Sequence, residues 1–164
     1  MKALVVYYSR TGTTKKVADE IVRLLKCDSE RILDVKDRSG PLGYMRSGKE
    51  GMKRIIPEIK ETEKDPSKYD IVILGTPIWG WNMASPMRAY LAKNSEKLGR
   101  VAFFITQGGK GAETAFREME DICSSVPKAT LVLLTKEVMK TDWSSRVKDF
   151  VDRLSSDGSD AKDL

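Results

Sequence analysis

The chain has 164 residues, of which 40% are hydrophobic and 32% charged, and its formal net charge is +5. This length and composition are typical of one globular domain and exclude a disordered chain. The absence of histidine excludes Ser-His-Asp and Cys-His catalysis and histidine-ligated zinc, and the two distant cysteines form neither a metal motif nor a disulfide framework.

Apolar runs and helical stripes alternate through the first part of the chain. Residues 3–8 form an apolar run that predicts a buried strand, and residues 14–26 show a helical stripe. Residues 31–35 are more polar and predict an edge strand. A helix is expected at 42–54, although three glycines weaken it, and the charged segment 57–69 is expected to be a loop.

The same alternation continues to the end of the chain. Strands are predicted at 71–74, 101–105 and 131–134, with a helix at 112–124 and another beginning at Pro86. The final helix, at 142–154, carries the clearest inward stripe: Trp143, Val147, Phe150, Val151 and Leu154.

Five strands alternating with helices predict an α/β three-layer sandwich, a parallel sheet covered on both faces. We expect a single domain at 1–154 and a disordered tail at 155–164. No apolar run reaches the length of a membrane span, and the run at 3–8 is too short for a signal peptide. Basic residues are not interleaved with aromatic ones. We therefore expect a cytoplasmic protein without membrane insertion or a nucleic-acid partner.

Ligands of such sheets bind beyond the carboxyl ends of the strands, which directs attention to three loops. The first loop, at 9–14, offers hydroxyls and a glycine before a helix, a combination that suits a phosphate, although the same residues also cap helices with nothing bound. The second loop, at 76–85, holds two tryptophans that could cover a flat ligand, plug the loop or contact a partner. In the third, at 106–111, three glycines allow close approach of the backbone to a ligand.

Together the three loops resemble those of the flavodoxin family, in its short-chain form. Ser9 to Thr14 resembles the phosphate loop, with Thr13 where asparagine is usual, and Gly75 to Gly80 resembles the second flavin loop. The resemblance implies a sheet of order 2-1-3-4-5 and FMN as cofactor. The residues it implies for cofactor binding are Ser9, Arg10, Thr11, Gly12, Thr13, Thr14, Thr76, Pro77, Ile78, Trp79, Gly80, Trp81, Thr106, Gln107, Gly108, Gly109, Lys110 and Gly111.

Within that set, the resemblance implies particular roles. Trp79 would stack on one flavin face, with Trp81 the other candidate, and the Gly80 peptide would flip to stabilise the flavin semiquinone. Arg10 either adds charge at the phosphate or faces solvent. No catalytic residue and no metal ligand is implied.

Two functions are open at this point. One is an electron carrier that shuttles low-potential electrons between redox partners through the flavin semiquinone and hydroquinone. The other is an FMN-dependent NAD(P)H:quinone oxidoreductase, favoured by a third loop that has no aromatic residue to cover the flavin. The family's usual acidity is absent, so Lys110 and the cations Arg46, Lys49, Lys53 and Arg54 either ease flavin reduction or form a solvated face.

The basic segment 41–54 has two interpretations of its own. It is either a docking surface for a redox partner with an acidic face, or a surface helix whose Tyr44, Met45 and Met52 face the core, and the second is slightly favoured. Gly43 to Lys49 nearly matches a nucleotide P-loop, but Glu50 stands where a serine or threonine must bind magnesium.

Overall fold

The central feature of the fold is one twisted parallel sheet, seen in a computed structural model that describes residues 1–156. The last residues of the expected tail, 157–164, lie outside the described residues. The sheet has the order β2-β1-β3-β5-β6, and the short β4 pairs antiparallel with the end of β3. The strands are β1 (Ala3–Tyr7), β2 (Asp28–Arg31), β3 (Ile71–Trp79), β4 (Asn82–Met83), β5 (Arg100–Gln107) and β6 (Thr130–Leu134).

Helices cover both faces of the sheet and divide the core into two layers. Residues of α1, α5 and α6 pack on one face, and residues of α3 and α4 pack on the other, beside α2. None of the helices in the described part of the chain is long and apolar enough to cross a membrane. The helices are α1 (Thr13–Leu25), α2 (Gly40–Met52), α3 (Ser85–Asn94), α4 (Ala112–Cys123), α5 (Thr135–Lys140) and α6 (Ser144–Ser155).

The predicted three-layer architecture and the spatial order of its five main strands are confirmed. The inner strands β1, β3 and β5 are buried on both faces, which is why each appears in the sequence as an unbroken apolar run. Successive side chains of β1 point to opposite faces of the sheet, so that Leu4 and Val6 belong to one core cluster and Val5 to the other.

Several boundaries differ from the prediction. β2 covers Asp28–Arg31 rather than 31–35, because its pairing with Leu4–Tyr7 of β1 uses a polar segment and leaves the apolar Ile32 beyond its end. β3 runs on to Trp79, and the short helix α5 was not predicted. Trp143 is half-buried and precedes α6 instead of lying within it.

The segment between α2 and β3 runs along the open edge of β2. The amide of Lys60 donates to the carbonyl of Leu33 at 2.9 Å, and the carboxylate of Glu30 accepts from the amide of Lys64, also at 2.9 Å. The Tyr69 hydroxyl donates to Asp28 at 2.7 Å. The expected loop therefore lies beside this edge of the sheet, while β2 itself stays largely exposed.

Candidate functional site

A pocket of about 680 Å³ opens at the carboxyl end of the sheet. The loops after β1, β3 and β5 line it, together with one side of α2 and Thr135 at the start of α5. The loops after β1 and β3 belong to adjacent strands from which the chain departs in opposite directions, since β2 lies on one side of β1 and β5 on the far side of β3. The pocket thus occupies the switch point at which ligands of doubly wound sheets bind.

The loop after β1 brings hydroxyl groups and backbone amides together at the start of α1. Gly12 has a left-handed φ of 99° and immediately precedes α1, and no side chain caps the first turn of that helix among the described residues. The Ser9 hydroxyl accepts from the Gly12 amide at 3.1 Å. The amides of the first helical turn are therefore available to an anion, which the positive end of the helix dipole favours.

Two side chains of this loop connect it to other elements. The buried Thr14 hydroxyl bonds that of Thr106 at 2.7 Å, which joins the first loop to the third. The Arg10 guanidinium donates to the carbonyls of Arg38 and Gly40, each at 3.0 Å, and lies 5.6 Å from the centre of the Tyr44 ring. Arg10 thus ties the loop to the start of α2.

The loop after β3 is a two-residue hairpin. Trp79 pairs with Asn82, so that Gly80 and Trp81 form the turn, and both have left-handed φ angles of 53° and 65°. Such a turn suits the twist of a hairpin, but a tryptophan in this conformation is strained. Trp81 stands at the mouth of the pocket with 60% of its surface exposed, whereas Trp79 is only 9% exposed and belongs to the core.

A buried network of ion pairs packs against Trp79. The Arg38 guanidinium forms ion pairs of 2.7 Å with Asp34 and with Glu50, and it lies 5.1 Å from the centre of the Trp79 ring. The Tyr8 ring meets Trp79 edge to face at 5.2 Å, and its hydroxyl donates to Asp34. Glu50, which stands where a P-loop has serine or threonine, is therefore part of this network.

The inner face of α2 carries two glycines and a serine beside Glu50, and part of it packs on the backbone of the hairpin. A Cβ at Gly51 would lie 2.0 Å from the Trp79 carbonyl oxygen, and one at Gly43 would lie 2.0 Å from that of Arg38. A Cβ at Gly80 would approach the Gly48 carbonyl oxygen to 2.5 Å. Gly51 in the helix and Gly80 in the turn therefore allow α2 to lie directly against the second loop, whereas Gly43 makes room for the backbone of Arg38.

The larger apolar residues of α2 face outward, which corrects the slightly favoured interpretation of this segment. Tyr44, Met45 and Met52 are 70%, 69% and 59% exposed, and all three line the pocket rather than the core. Sequence reasoning missed them as site residues, although Tyr44, Gly48 and Met52 share the i, i+4, i+8 spacing of one helical face. It also missed Ser47 and Thr135, the latter because α5 was not predicted.

The third loop forms an open wall of the pocket. Gly108, Gly109 and Lys110 are exposed and line it, and no aromatic side chain of this loop covers them. Gly111, with φ at 121°, ends the loop, and a Cβ there would come within 2.9 Å of the Trp81 backbone. The glycine therefore brings the third loop against the second.

Most of the residues expected at the site come together in this pocket. The exceptions are Gly12, which shapes the first loop, Gln107 and Gly111, which line a smaller neighbouring cleft, and Thr76. The buried Thr76 hydroxyl donates to the Pro77 carbonyl at 2.9 Å and accepts from the Ala84 amide at 3.0 Å. Of the cations considered for a role near the cofactor, Lys110 lines the pocket, whereas Arg46, Lys49, Lys53 and Arg54 do not.

The chemistry of the lining is that of a binding site. Among residues 1–156, those that line the pocket include no carboxylate and no thiol, and Arg10 and Lys110 are their charged members. Hydroxyls at a helix N-terminus stand at one end, and tryptophan, tyrosine and methionine side chains form flat apolar walls elsewhere. Fold and pocket together define an α/β protein with a site for a planar ligand that carries an anionic group.

The chain belongs to the flavodoxin family, because the family model described as Flavodoxin matches residues 2–153. No curated protein matches the chain. Among solved structures it is similar to a flavoprotein from Lactobacillus acidophilus NCFM in complex with FMN, with 25% identity and a TM-score of 0.68 over 85% of this chain and 97% of that one.

Two further structures share the fold. One is the two-electron-reduced flavodoxin of Megasphaera elsdenii, with 18% identity and a TM-score of 0.60 over 93% of this chain and 99% of that one. The other is the NADH:FMN oxidoreductase EMOB in its apo form, with 16% identity and a TM-score of 0.54 over 98% of this chain and 92% of that one. The fold is thus common to a flavodoxin and to an NADH:FMN oxidoreductase.

Proposed function

We propose that this chain binds FMN and carries electrons between redox proteins in the cytoplasm. The observation that carries the proposal is the pocket itself, which combines an anion-binding first loop with flat walls and, among the described residues, has no carboxylate or thiol in its lining. FMN has a phosphate and a planar ring system, and it supplies the redox chemistry when bound. The two cysteines are unpaired, which is compatible with the reducing compartment proposed here.

The residues present fit FMN, and each part of the pocket has a distinct task. Ser9, Thr11 and Thr13, with the free amides of the first turn of α1, hold the phosphate. The hairpin and the outward face of α2 would line two sides of the ring system. Because Trp79 is packed between Tyr8 and Arg38, we assign the contact with the ring mainly to the exposed Trp81.

A second function, that of an FMN-dependent oxidoreductase, is favoured by one observation. The third loop leaves its side of the pocket open, and room there would admit a nicotinamide or a quinone beside the flavin. Against it, the pocket lining offers no carboxylate to orient or protonate a substrate among the described residues. We therefore prefer the carrier.

The test is titration of the protein with FMN, followed by anaerobic stepwise reduction monitored by visible absorption. A carrier takes up electrons in two well-separated one-electron steps, with a long-lived half-reduced species. Reduction in a single two-electron step, together with oxidation of NADH or NADPH by the holoprotein in the presence of a quinone, would favour the oxidoreductase. A protein that does not quench FMN fluorescence on titration would contradict both functions.

A further inference from the structure

Helix α2 presents three different faces, and one of them is not used by the fold or by the pocket. Gly43, Ser47, Glu50 and Gly51 are buried against the protein. Tyr44, Met45, Gly48 and Met52 line the pocket. The third stripe has the spacing i, i+4, i+7, i+11 and consists of Leu42, Arg46, Lys49 and Lys53, all exposed.

This third stripe carries a net positive charge, which is offset in part only at Arg46, because Asp37, whose pKa is lowered mainly by hydrogen bonds from Ser39, lies near enough for Arg46 to help lower it. None of its three cations forms an ion pair with another residue in the part of the chain that the structure describes. The single acidic residue of α2, Glu50, is buried and paired with Arg38. Leu42, 79% exposed, adds an apolar contact at the N-terminal end of the same stripe. We call Leu42, Arg46, Lys49 and Lys53 the basic stripe.

We propose that the basic stripe is the docking surface for a redox partner with an acidic face, an inference that rests on the proposed carrier function. The stripe shares its helix with the residues that line the pocket, so a protein seated on it lies directly beside the cofactor site. Opposite charges would steer such a partner to this edge and fix its orientation.

The charge pattern argues against a second copy of the chain as the occupant. In a two-fold dimer built on this face, each stripe would meet itself or its immediate surroundings, and its cations would repel one another. An acidic partner meets no such repulsion. Leu42 within the stripe and the neighbouring, pocket-lining Met45 supply the exposed apolar surface that a specific interface needs.

The test uses the FMN-loaded protein and the haem domain of cytochrome b5 as an acidic probe, both oxidised, so that no electron passes. Binding is followed by sedimentation velocity at the haem absorbance, at low and at moderate salt. We expect the wild type to bind and its dissociation constant to rise about tenfold with added salt, because exposed charges are screened. The basic haem protein cytochrome c should not bind.

Two triple variants with equal net charge separate a docking site from a general charge effect. R46E/K49E/K53E reverses the stripe, and K26E/K68E/K97E reverses exposed cations that precede β2, β3 and β5 at the opposite end of the sheet. The first should weaken cytochrome b5 binding about tenfold or more, and the second by no more than about twofold. Both should retain FMN affinity, since none of the six residues lines the pocket.

Four outcomes would overturn the proposal. They are no binding of cytochrome b5 by the wild type, equal weakening in both variants, a wild-type dimer that the stripe variant dissociates, and binding to anionic phospholipid vesicles without binding to the haem domain. A failure of the carrier function would be seen instead in the reduction steps and would leave this binding measurement intact.

Discussion

At the scale of single residues, Asn82 joins the elements that form the pocket. Its side-chain amide donates to the carbonyl of Gly51 on α2 at 3.1 Å and to that of Gly80 in the hairpin turn at 3.2 Å. The residue is buried, and the Gly51 carbonyl also accepts from the amide of Arg54 at 3.2 Å. One side chain thereby holds the second loop and the pocket-lining helix in register.

We expect Asn82→Ala to loosen the hairpin and to weaken FMN binding about three- to tenfold, while lowering the free energy of unfolding by about 1–2 kcal/mol. Asn94→Ala is the matched control, because Asn94 is also buried and donates to a single carbonyl, that of Tyr90, at 2.9 Å far from the pocket. The Asn94→Ala variant should lower the free energy of unfolding by a similar amount and leave the FMN affinity unchanged. Flavin fluorescence titration and urea unfolding measure the two effects, and equal FMN affinity in both variants would contradict the assigned role.

At the scale of elements, α2 differs from an ordinary surface helix in that its large apolar side chains do not face the core. Small residues face inward and the large apolar ones face the pocket, because the backbone of the hairpin lies where core side chains would otherwise stand. Its glycines are therefore not equivalent. Gly51 touches the hairpin, whereas a Cβ at Gly48 would meet no atom within 4 Å.

This difference predicts opposite effects of the same substitution three residues apart. Gly48→Ala should raise the free energy of unfolding of the FMN-free protein by about 0.5–1 kcal/mol, because alanine favours the helix and fits the open space. Gly51→Ala should lower it by about 2 kcal/mol or more, since the methyl group would overlap the Trp79 carbonyl and push α2 away. Urea unfolding of the two variants tests this, and stabilisation by both would refute the close packing of α2.

The same helix shows where prediction from the sequence succeeds and where it stops. The strands β1, β3 and β5 could be predicted from their apolar runs, because inner strands are buried on both faces. The three loops of the site could then be predicted from the order of the strands. The bounds of α2 could be predicted to within two residues, but not its orientation. A hydrophobic residue that lines a pocket has the same sequence pattern as one that faces the core.

Other misses have similar physical reasons. The position of β2 is determined by its backbone pairing with β1 and not by hydrophobic burial. Its polar residues therefore have no sequence pattern that predicts a strand. In the buried network of ion pairs, Arg38 pairs with Asp34 four residues earlier and with Glu50 on α2, and the second of these ion pairs joins different segments and is revealed by no local pattern. The core position of Trp79 follows from this network, so the sequence could not distinguish it from Trp81.

At the scale of the whole molecule, burial of weak acids makes stability depend on alkaline pH. Burial raises the pKa of Tyr90, and burial together with the hydrogen bond to Asp34 raises that of Tyr8. Burial also raises the pKa of Cys123 from 9.0 to about 12. In the folded protein these groups keep their protons at a pH at which the unfolded chain releases them.

The free energy of unfolding should therefore be unaffected by these groups below about pH 8 and should fall as the pH rises through 9 to 11. Tyr90→Phe removes one of these protons, and the Tyr90 hydroxyl has no hydrogen-bond partner among the described residues, so the loss itself should cost little stability. Urea unfolding at several pH values should show a shallower alkaline decline in Tyr90→Phe than in the wild type. Identical slopes in the two proteins would contradict this origin.

The segment that runs along the β2 edge has a consequence for the behaviour of the protein in concentrated solution. An uncovered outer strand is a template on which another chain can add its own strand and begin a fibril. Here the outer strand is short and charged, and the neighbouring segment donates to the Glu30 side chain and to the Leu33 carbonyl just beyond the strand. The shortness and charge of β2, together with this neighbouring segment, disfavour lateral growth of the sheet on this side, which favours long-term colloidal stability at high protein concentration.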